Sequence, residues 1–417
     1  MQQDIAIEIY GNRFFSSQYL LKGKNKTKNK ADVERLTKTI IRKYTEAGFA
    51  FCRIFPSVIY TDSVIEKVVL MMEEGKRIMV ADYLFDVQDH TDLGAVRKVA
   101  DFKAGTYFSS KSLANTKKNL LETEAFNSVQ ENIVLRDGGY YVLLKLEEKP
   151  GDNLIAYGAL SEDKYDFSII YSTINLVGTL RRLSFQYDYQ TLFALDFTEP
   201  ILIYPIALNG NFSLWTYDSV RLVKFAGKIT APIGEYFGVF LISGFEFFSY
   251  FGDDNPSQQY SDNFVGIGLG FDYESLVWSC SQQINYEYLF RQNDRWRFQY
   301  DGEFQMMKFY VRPHGYYVET DSFEYFDYYR IGGSQDLRGY LEEEFDDESG
   351  AWVNLEYKRL FIYPLFDIGW VQDEIKYSYG FGMAMASNVL DGALIFAWPK
   401  QGTWRDGKIH LMLETGF

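Results

Sequence analysis

The sequence predicts a transmembrane antiparallel β-barrel of about 16 strands, preceded by two small α+β domains. Aromatic residues make up 18% of the 417 residues, yet the mean hydropathy is only −0.22, so apolar and polar residues are interleaved. Short alternating segments fill the chain after Pro150, whereas apolar residues at helical spacing occur before it. The sequence contains no run of about 18 apolar residues that would form a transmembrane helix. These patterns indicate a chain that crosses a membrane with strands.

The composition and the scattered histidines argue against several classes of function. A net charge of −15 is unfavourable for a nucleic-acid partner, because phosphate binding needs a basic surface. His90, His314 and His410 lie far apart and outside any metal-ligand spacing, and no nucleophile elbow or phosphate-binding glycine loop is present. Cys52 and Cys280 fall in different predicted domains, so neither a disulfide nor a metal site is expected. We therefore expect no enzymatic activity, no cofactor and no bound metal.

Residues 1–76 form the first predicted α+β domain. Residues 5–11 alternate like a strand, and a polar connector, KNKTKNK, follows at residues 24–30. The next segment has apolar residues at helical spacing and ends before Gly48, where a helix C-terminal cap is expected. Two strand-like segments, FAFCRIFPSVIY and SVIEKVVLMMEEG, complete the domain. The predicted order is therefore strand, helix, strand, strand.

Residues 77–150 repeat this order and form the second predicted domain. A strand, RIMVADYLFDV, precedes a short helix, DLGAVRKVA, a connector and a longer helix with Ser109 or Ser110 as its N-cap. Two final strands are joined by Arg-Asp-Gly-Gly at residues 136–139, which predicts a hairpin. Because two successive units of about 75 residues share one order of elements, we interpret them as an internal repeat.

Residues 151–417 form the predicted barrel. Segments such as RLSFQYDYQ, WRFQYDGEF, FVGIGLGF and KIHLMLETGF alternate apolar with polar or small residues, so each has one apolar face. A soluble antiparallel sandwich would also alternate and is the alternative. Aromatic rings near segment ends, short connectors and the lack of a second inward apolar set favour a membrane barrel. The number of segments, about 16, is even, as is expected of bacterial outer-membrane barrels.

A long loop between a strand near residues 308–318 and a strand in AWVNLEYKRLF carries the most specific motif. This motif, IGGSQDLRGY, spans residues 331–340, and a second one, FDIGW, follows at residues 366–370. Both resemble motifs of the outer-membrane assembly and secretion superfamily, which includes BamA, TamA and the two-partner secretion transporters (the bacterial surface antigen family). In that superfamily, periplasmic POTRA domains precede a barrel of about 16 strands, and the loop folds back into the lumen. The resemblance implies that the two α+β domains are POTRA-like.

The resemblance also implies that an arginine of this loop is fastened to the barrel wall. The matching residues are Gly332, Gly333, Arg338, Gly339 and Tyr340 in the loop, and Glu356, Asp367 and Gly369 on the wall. The alternation independently places Glu356 and Asp367 on the lumen side of neighbouring strands, where both can bind one arginine. The alternative is that Arg338 is a solvated loop charge and Asp367 an ordinary lumen carboxylate.

The function that the resemblance implies is assembly and insertion of outer-membrane proteins. POTRA-like domains in the periplasm would receive client strands by β-augmentation. The barrel, in the outer membrane of a Gram-negative-type bacterium, would insert the clients through a weak seam between its first and last strands. The seam and the C-terminal signal would comprise Leu154, Ile155, Tyr157, Leu411, Leu413 and Phe417.

Two other functions remain as alternatives at this point. One is a two-partner-type secretion transporter, a translocase that passes an unfolded exoprotein through the lumen; the other is a plain porin or adhesin. The number of POTRA-like units favours secretion, whereas the lack of a basic plug helix before Ile5 and the acidic balance oppose it. No signal peptide is visible in the sequence. Expected partners are client outer-membrane or secreted proteins and the lipid bilayer, with accessory lipoproteins or an extracellular capping subunit as further candidates.

Overall fold

The chain divides into two compact units, Met1–Lys149 and Pro150–Phe417. The computed structural model describes residues 5–23, 25–27, 29–61, 64–87, 90–100, 102–160, 165–203, 206–217, 220–234, 236–251, 259–275, 277–290, 295–321, 323, 325–386 and 391–416.

The first unit begins with a four-stranded sheet that carries two helices. Its elements are β1 (Ile5–Tyr10), α1 (Ser17–Leu21), β2 (Lys26–Thr27), α2 (Lys30–Glu46), β3 (Arg53–Thr61) and β4 (Val64–Glu73). The sheet order is β2-β1-β4-β3, and β1 runs parallel to β4. Helix α2 buries Val33, Ile40 and Tyr44 in the core, which is the face that the helical spacing predicts. Helix α1 and strand β2 were missed by the sequence prediction, because five and two residues are too few to show a period.

The second half of this unit repeats the same sheet. Its elements are β5 (Met79–Asp86), α3 (Leu93–Ala100), β6 (Thr106–Tyr107), α4 (Ser110–Glu122), β7 (Phe126–Arg136) and β8 (Gly139–Glu148), with the order β6-β5-β8-β7. Ser109 is the N-cap of α4 and accepts a hydrogen bond from the backbone of Ser112. Asp137 and Gly138 both have positive φ in the turn between β7 and β8, as the predicted two-residue hairpin requires. The fold prediction of two small α+β units is confirmed.

In the described part of the second unit, sixteen antiparallel strands close into a barrel, which confirms the predicted architecture. The loop after the eleventh strand holds a small pair of its own, β20 (Tyr329–Ile331) and β21 (Phe345–Asp347). The barrel strands are β9 (Asp152–Leu160), β10 (Tyr165–Thr173), β11 (Arg182–Asp188), β12 (Leu192–Ile203), β13 (Ile206–Tyr217), β14 (Val220–Ile233), β15 (Phe237–Tyr250), β16 (Gln259–Glu274), β17 (Trp278–Phe290), β18 (Arg295–Met306), β19 (Phe309–Thr320), β22 (Ser349–Tyr357), β23 (Ile362–Val371), β24 (Glu374–Ala386), β25 (Asp391–Pro399) and β26 (Lys408–Gly416). Short 3-10 turns lie at Leu176–Gly178 and Trp404–Asp406.

The barrel has an apolar outer face and a charged inner face. Leu241 and Leu269 remain 59% and 55% exposed on the outside, among many other large apolar side chains. On the inner face, Glu246 of β15 is 1% exposed and accepts a hydrogen bond of 2.7 Å from Arg297 of β18. An outward apolar band over a polar lumen is the pattern of a transmembrane barrel. None of the helices in the described residues is both long enough and apolar enough to span a membrane.

Candidate functional site: a loop locked inside the barrel

The loop between β19 and β22 folds back on itself and packs against the barrel wall. Strands β20 and β21 pair antiparallel, with Ile331 opposite Phe345, and hold the base of the fold-back. The loop side chains of Leu337 and Tyr340 are buried with Trp352 of β22 and other wall residues in one apolar cluster. Burial of this cluster removes apolar surface from water and fixes the residues between Ile331 and Phe345 against the wall.

Arg338, at the tip of this loop, binds two carboxylates of the wall. Its backbone N and its Nε each donate to Asp367 Oδ2 over 3.0 Å, and its Nη2 donates to Asp367 Oδ1 over 2.5 Å. Its Nη1 donates to Oε1 of Glu356. The three side chains are at most 4% exposed. Bidentate binding of a guanidinium to a carboxylate is a strong, directional contact, and we name the three residues the lock.

The wall surrounds the lock with further hydrogen-bond donors and cations. Asp367 also accepts from Asn354 Nδ2 at 2.9 Å and from Ser378 Oγ at 3.1 Å. The Oε2 atom of Glu356 also forms ion pairs with Arg312 Nη2 at 2.8 Å and with Lys358 Nζ at 2.7 Å. Both carboxylates are therefore compensated, as charges out of contact with water must be.

The charge of Arg338 is stabilised in this setting. Burial alone would lower the pKa of its guanidinium, but the hydrogen bonds and charges of Asp367 and Glu356 outweigh it and raise that pKa above its ordinary value.

Glycines allow the loop tip to reach the wall. Gly332 and Gly333 have φ of +127° and +97°, a region that other residues adopt only with strain. A Cβ on Gly339 would lie 2.6 Å from the Cβ of Ser378 and 2.6 Å from the carbonyl carbon of Trp398, so a side chain there would push the loop off the wall.

Two more residues of the predicted set support the same contact. A Cβ on Gly369 of β23 would lie 3.0 Å from the Cβ of Trp352, so this glycine leaves room for the tryptophan that packs with Leu337. The hydroxyl of Tyr340 donates to the carbonyl of Tyr377 over 3.2 Å. The structure thus brings six of the eight predicted residues to the contact between loop and wall, and the other two, Gly332 and Gly333, lie in the turn of the loop.

Three solved structures resemble this one over the whole chain. BamA from Haemophilus ducreyi lacking POTRA domains 1–3 is matched over 100% of both chains, with a TM-score of 0.60 and 13% identity. CdiB from Acinetobacter baumannii is matched over 100% of this chain and 91% of its own, with a TM-score of 0.62 and 13% identity. CdiB from Escherichia coli gives the same coverage, a TM-score of 0.64 and 11% identity. This chain has the fold of BamA and CdiB. No protein-family model matches the chain, and no curated protein matches it in sequence.

In this BamA/CdiB-type barrel, the part of the loop between β19 and β20, which we name its first limb, has a second anchor that the sequence analysis missed. Arg295, at the start of β18, donates from Nη1 to Asp327 Oδ1 over 2.8 Å, and both side chains are at most 1% exposed. Beside this pair, the ring of Phe326 stacks on Phe248 of β15. A buried ion pair and a stacked ring therefore hold the loop several residues before the lock.

The loop crosses the lumen from one wall to the opposite one. The guanidinium of Arg330 lies 3.8 Å from the ring centroid of Tyr217, at the end of β13. In the strand order of the closed barrel, β13 and the Asp367 strand β23 are eight positions apart out of sixteen in the described chain. The lumen of this conformation is therefore spanned by the loop.

The first and last strands of the barrel pair along their described length. Strands β9 and β26 form eight facing pairs, from Ile409–Leu160 to Gly416–Asn153. The neighbouring strand pairs β25–β26 and β10–β11 show seven and six facing pairs in the described residues, so this seam is no shorter than they are. The number of backbone pairs therefore does not make this seam weaker than its neighbours.

The predicted seam residues occupy both faces of this strand pair. Leu154 and Leu411 are partly exposed on the outside, where Leu411 faces Gly158 and Leu413 faces Ala156. Ile155 and Tyr157 face the lumen, opposite Glu414 and Met412. Phe417, the predicted C-terminal signal, lies outside the described residues.

Proposed function

We propose that this chain assembles outer-membrane proteins: its two N-terminal α+β modules receive client chains, and the seam of its barrel inserts them. The proposal rests on one observation above all, a closed barrel whose lumen is spanned by a doubly anchored loop while its first and last strands meet at a single seam. Its partners would be unfolded outer-membrane proteins and the bilayer.

The lumen is the less favourable route for a client. A polypeptide that passed through it would have to displace the loop, which is held by the lock and by Arg295–Asp327. Breaking a buried ion pair of this kind typically costs about 3–5 kcal/mol. A client that inserts at the seam does not enter the lumen and need not displace the loop, and this difference favours assembly over secretion.

The edge strands of the N-terminal modules offer docking sites for client strands. Strand β3 is an edge of its sheet, and Phe55, Val58 and Tyr60 on it are 49%, 42% and 61% exposed. Strand β7 is the corresponding edge of the second module. An edge strand with free backbone groups and exposed apolar side chains supports β-augmentation by an extended peptide.

Secretion of an unfolded exoprotein is the second candidate function. The observation that favours it is the likeness to CdiB, a secretion transporter, which is as strong as the likeness to BamA. In this alternative the loop would leave the lumen and the exoprotein would occupy it. As in assembly, no covalent chemistry would be needed, and we propose no enzymatic role.

Site-specific crosslinking in cells distinguishes the two functions. With Cys52 and Cys280 replaced by serine, single cysteines for a photoactivatable crosslinker would be placed at Leu154 on the seam, Asn209 in the lumen and Ile267 on the outer face of β16. Adducts at Leu154 that mass spectrometry identifies as outer-membrane barrel proteins, with none at Ile267, would support assembly. Adducts of one large exoprotein at Asn209 would support secretion instead. Equal adducts at all three positions would contradict both.

A further inference from the structure

The loop tip contacts the last strand of the seam. On the last strand, β26, the Nε2 of His410 lies 2.6 Å from the backbone oxygen of Arg338, and His410 is 4% exposed. The loop residue that forms the lock thus also reaches one strand of the seam.

The chemistry of the histidine contact fixes the donor. A backbone carbonyl only accepts, so Nε2 of His410 carries the proton and donates. The Nδ1 of His410 has no hydrogen-bond partner in the described part of the chain. The histidine therefore has one defined polar contact, and that contact is to the loop and not to the neighbouring strands.

The contact transmits the lock to the seam. The same residue, Arg338, is held through its backbone N and its guanidinium by Asp367 of β23, and by Glu356 of β22. Its carbonyl is held by His410 of β26. One loop residue therefore joins three strands that are not all neighbours, and it ties the last strand to a wall that does not border the seam.

Two of the facing pairs on the outer face of the seam set a leucine opposite a small residue. There, Leu411 faces Gly158 and Leu413 faces Ala156. A large residue opposite a small one gives little cross-strand contact, and a glycine inside a strand weakens pairing. The backbone pairs and the contacts from inside the barrel must therefore hold the junction.

We infer that Arg338 forms a clasp that holds the last strand of the seam in place from the lumen, with His410 as its strand contact. Displacement of β26 as it separates from β9 would break this hydrogen bond. Opening of the seam is thereby coupled to the lock, because release of Arg338 also frees His410. The inference rests on the proposed function only for its purpose, which is control of client insertion; the contacts themselves concern the seam alone.

Hydrogen exchange of the purified full chain in lipid nanodiscs tests the clasp. His410→Leu should speed amide exchange in β9 and β26 about tenfold, which corresponds to about 1.4 kcal/mol, the size expected for one buried hydrogen bond. Exchange in β14–β15, which share fourteen facing pairs, should stay unchanged. His410→Gln, whose amide nitrogen takes the place of Nε2, should restore most of the protection, whereas His410→Asn should not.

Several outcomes would overturn the clasp. They are unchanged exchange at the seam in His410→Leu, an equal rise in β14–β15, or a glutamine variant that behaves like the leucine variant. A disulfide between cysteines at the facing positions Ala156 and Leu413 should abolish the rise; if it does not, the exchange does not report seam opening and the inference is wrong. Failure of client crosslinking would contradict the proposed function and leave these results intact, so the two failures are distinguishable.

Discussion

Replacement of Asp367 by asparagine is the sharpest perturbation of the lock. The change keeps the size of the side chain and removes its charge. Asp367 accepts from Arg338 N, Nε and Nη2, from Asn354 Nδ2 and from Ser378 Oγ, all within 3.1 Å. An asparagine would place its NH₂ group, which donates, where a carboxylate oxygen now accepts hydrogen bonds. Arg338 would then keep only Glu356 as a buried counter-charge. We expect a loss of about 3–5 kcal/mol in the free energy of unfolding.

A double-mutant cycle measures how much of this loss belongs to the pair. Arg338→Leu should also cost about 3–5 kcal/mol, because it leaves Asp367 and Glu356 without their shared cation. The double variant should cost about 2–3 kcal/mol less than the sum of the two single variants. Guanidinium unfolding in phospholipid vesicles, followed by tryptophan fluorescence, gives all three values.

A matched control sits on the same carboxylate. Lys358 also contacts Glu356, but its side chain is 35% exposed, so Lys358→Met should cost less than about 1 kcal/mol. The reasoning is refuted if the losses of Arg338→Leu and Asp367→Asn add without coupling, or if the Lys358 control costs as much as either.

Three further predictions concern the loop. Arg295→Leu should make the first limb of the loop accessible, so limited proteolysis should cut near Asp327 at least tenfold faster than in the wild type, while an unchanged rate would mean that the pair does not anchor it. Burial and, second to it, the charge of Glu342 raise the pKa of Asp336 to about 7. Because this folded-state pKa lies above the unfolded value, the contribution of Asp336 to stability is present at about pH 4 and is lost as the pH rises through 7. Asp336→Asn should therefore flatten the fall in thermal midpoint over that range, and an unaltered slope would contradict the assignment. Gly339→Ala should lower the free energy of unfolding by about 1–3 kcal/mol through overpacking. Gly210→Ala, whose Cβ would meet no atom within 4 Å, should be nearly neutral. Equal effects of the two variants in the same unfolding assay would contradict this prediction.

Most of the barrel is predictable from sequence because a strand has a period of two residues. The alternation in the segment around Glu356 and in the one around Asp367 places both carboxylates on the lumen side, where the structure has them. The glycine pair and Arg-Gly-Tyr of the loop are local motifs and can also be read directly. Sequence patterns therefore predict those parts of the fold in which residues close together in the sequence determine the geometry.

Long-range contacts of the loop could not be predicted in this way. Asp327 pairs with Arg295, 32 residues away, and His410 reaches Arg338, 72 residues away, and both contacts depend on the path of the loop through the lumen. Asp327 stands in the aromatic run FEYFDYYR, and the presence of acids among rings was the only signal of a buried partner. A histidine on a barrel strand, with no motif around it, gave no signal at all.

Insertion of a client barrel by reconstituted protein tests the central claim most directly. The chain would be placed in phospholipid vesicles with cysteines at Ala156 and Leu413, in the background that lacks Cys52 and Cys280, and mixed with a urea-unfolded eight-stranded outer-membrane barrel. Reduced protein should speed folding of this probe into the vesicles, and oxidised protein, with its seam covalently closed, should not. If oxidised protein inserts the probe as fast as reduced protein, the seam is not the route and the account is contradicted.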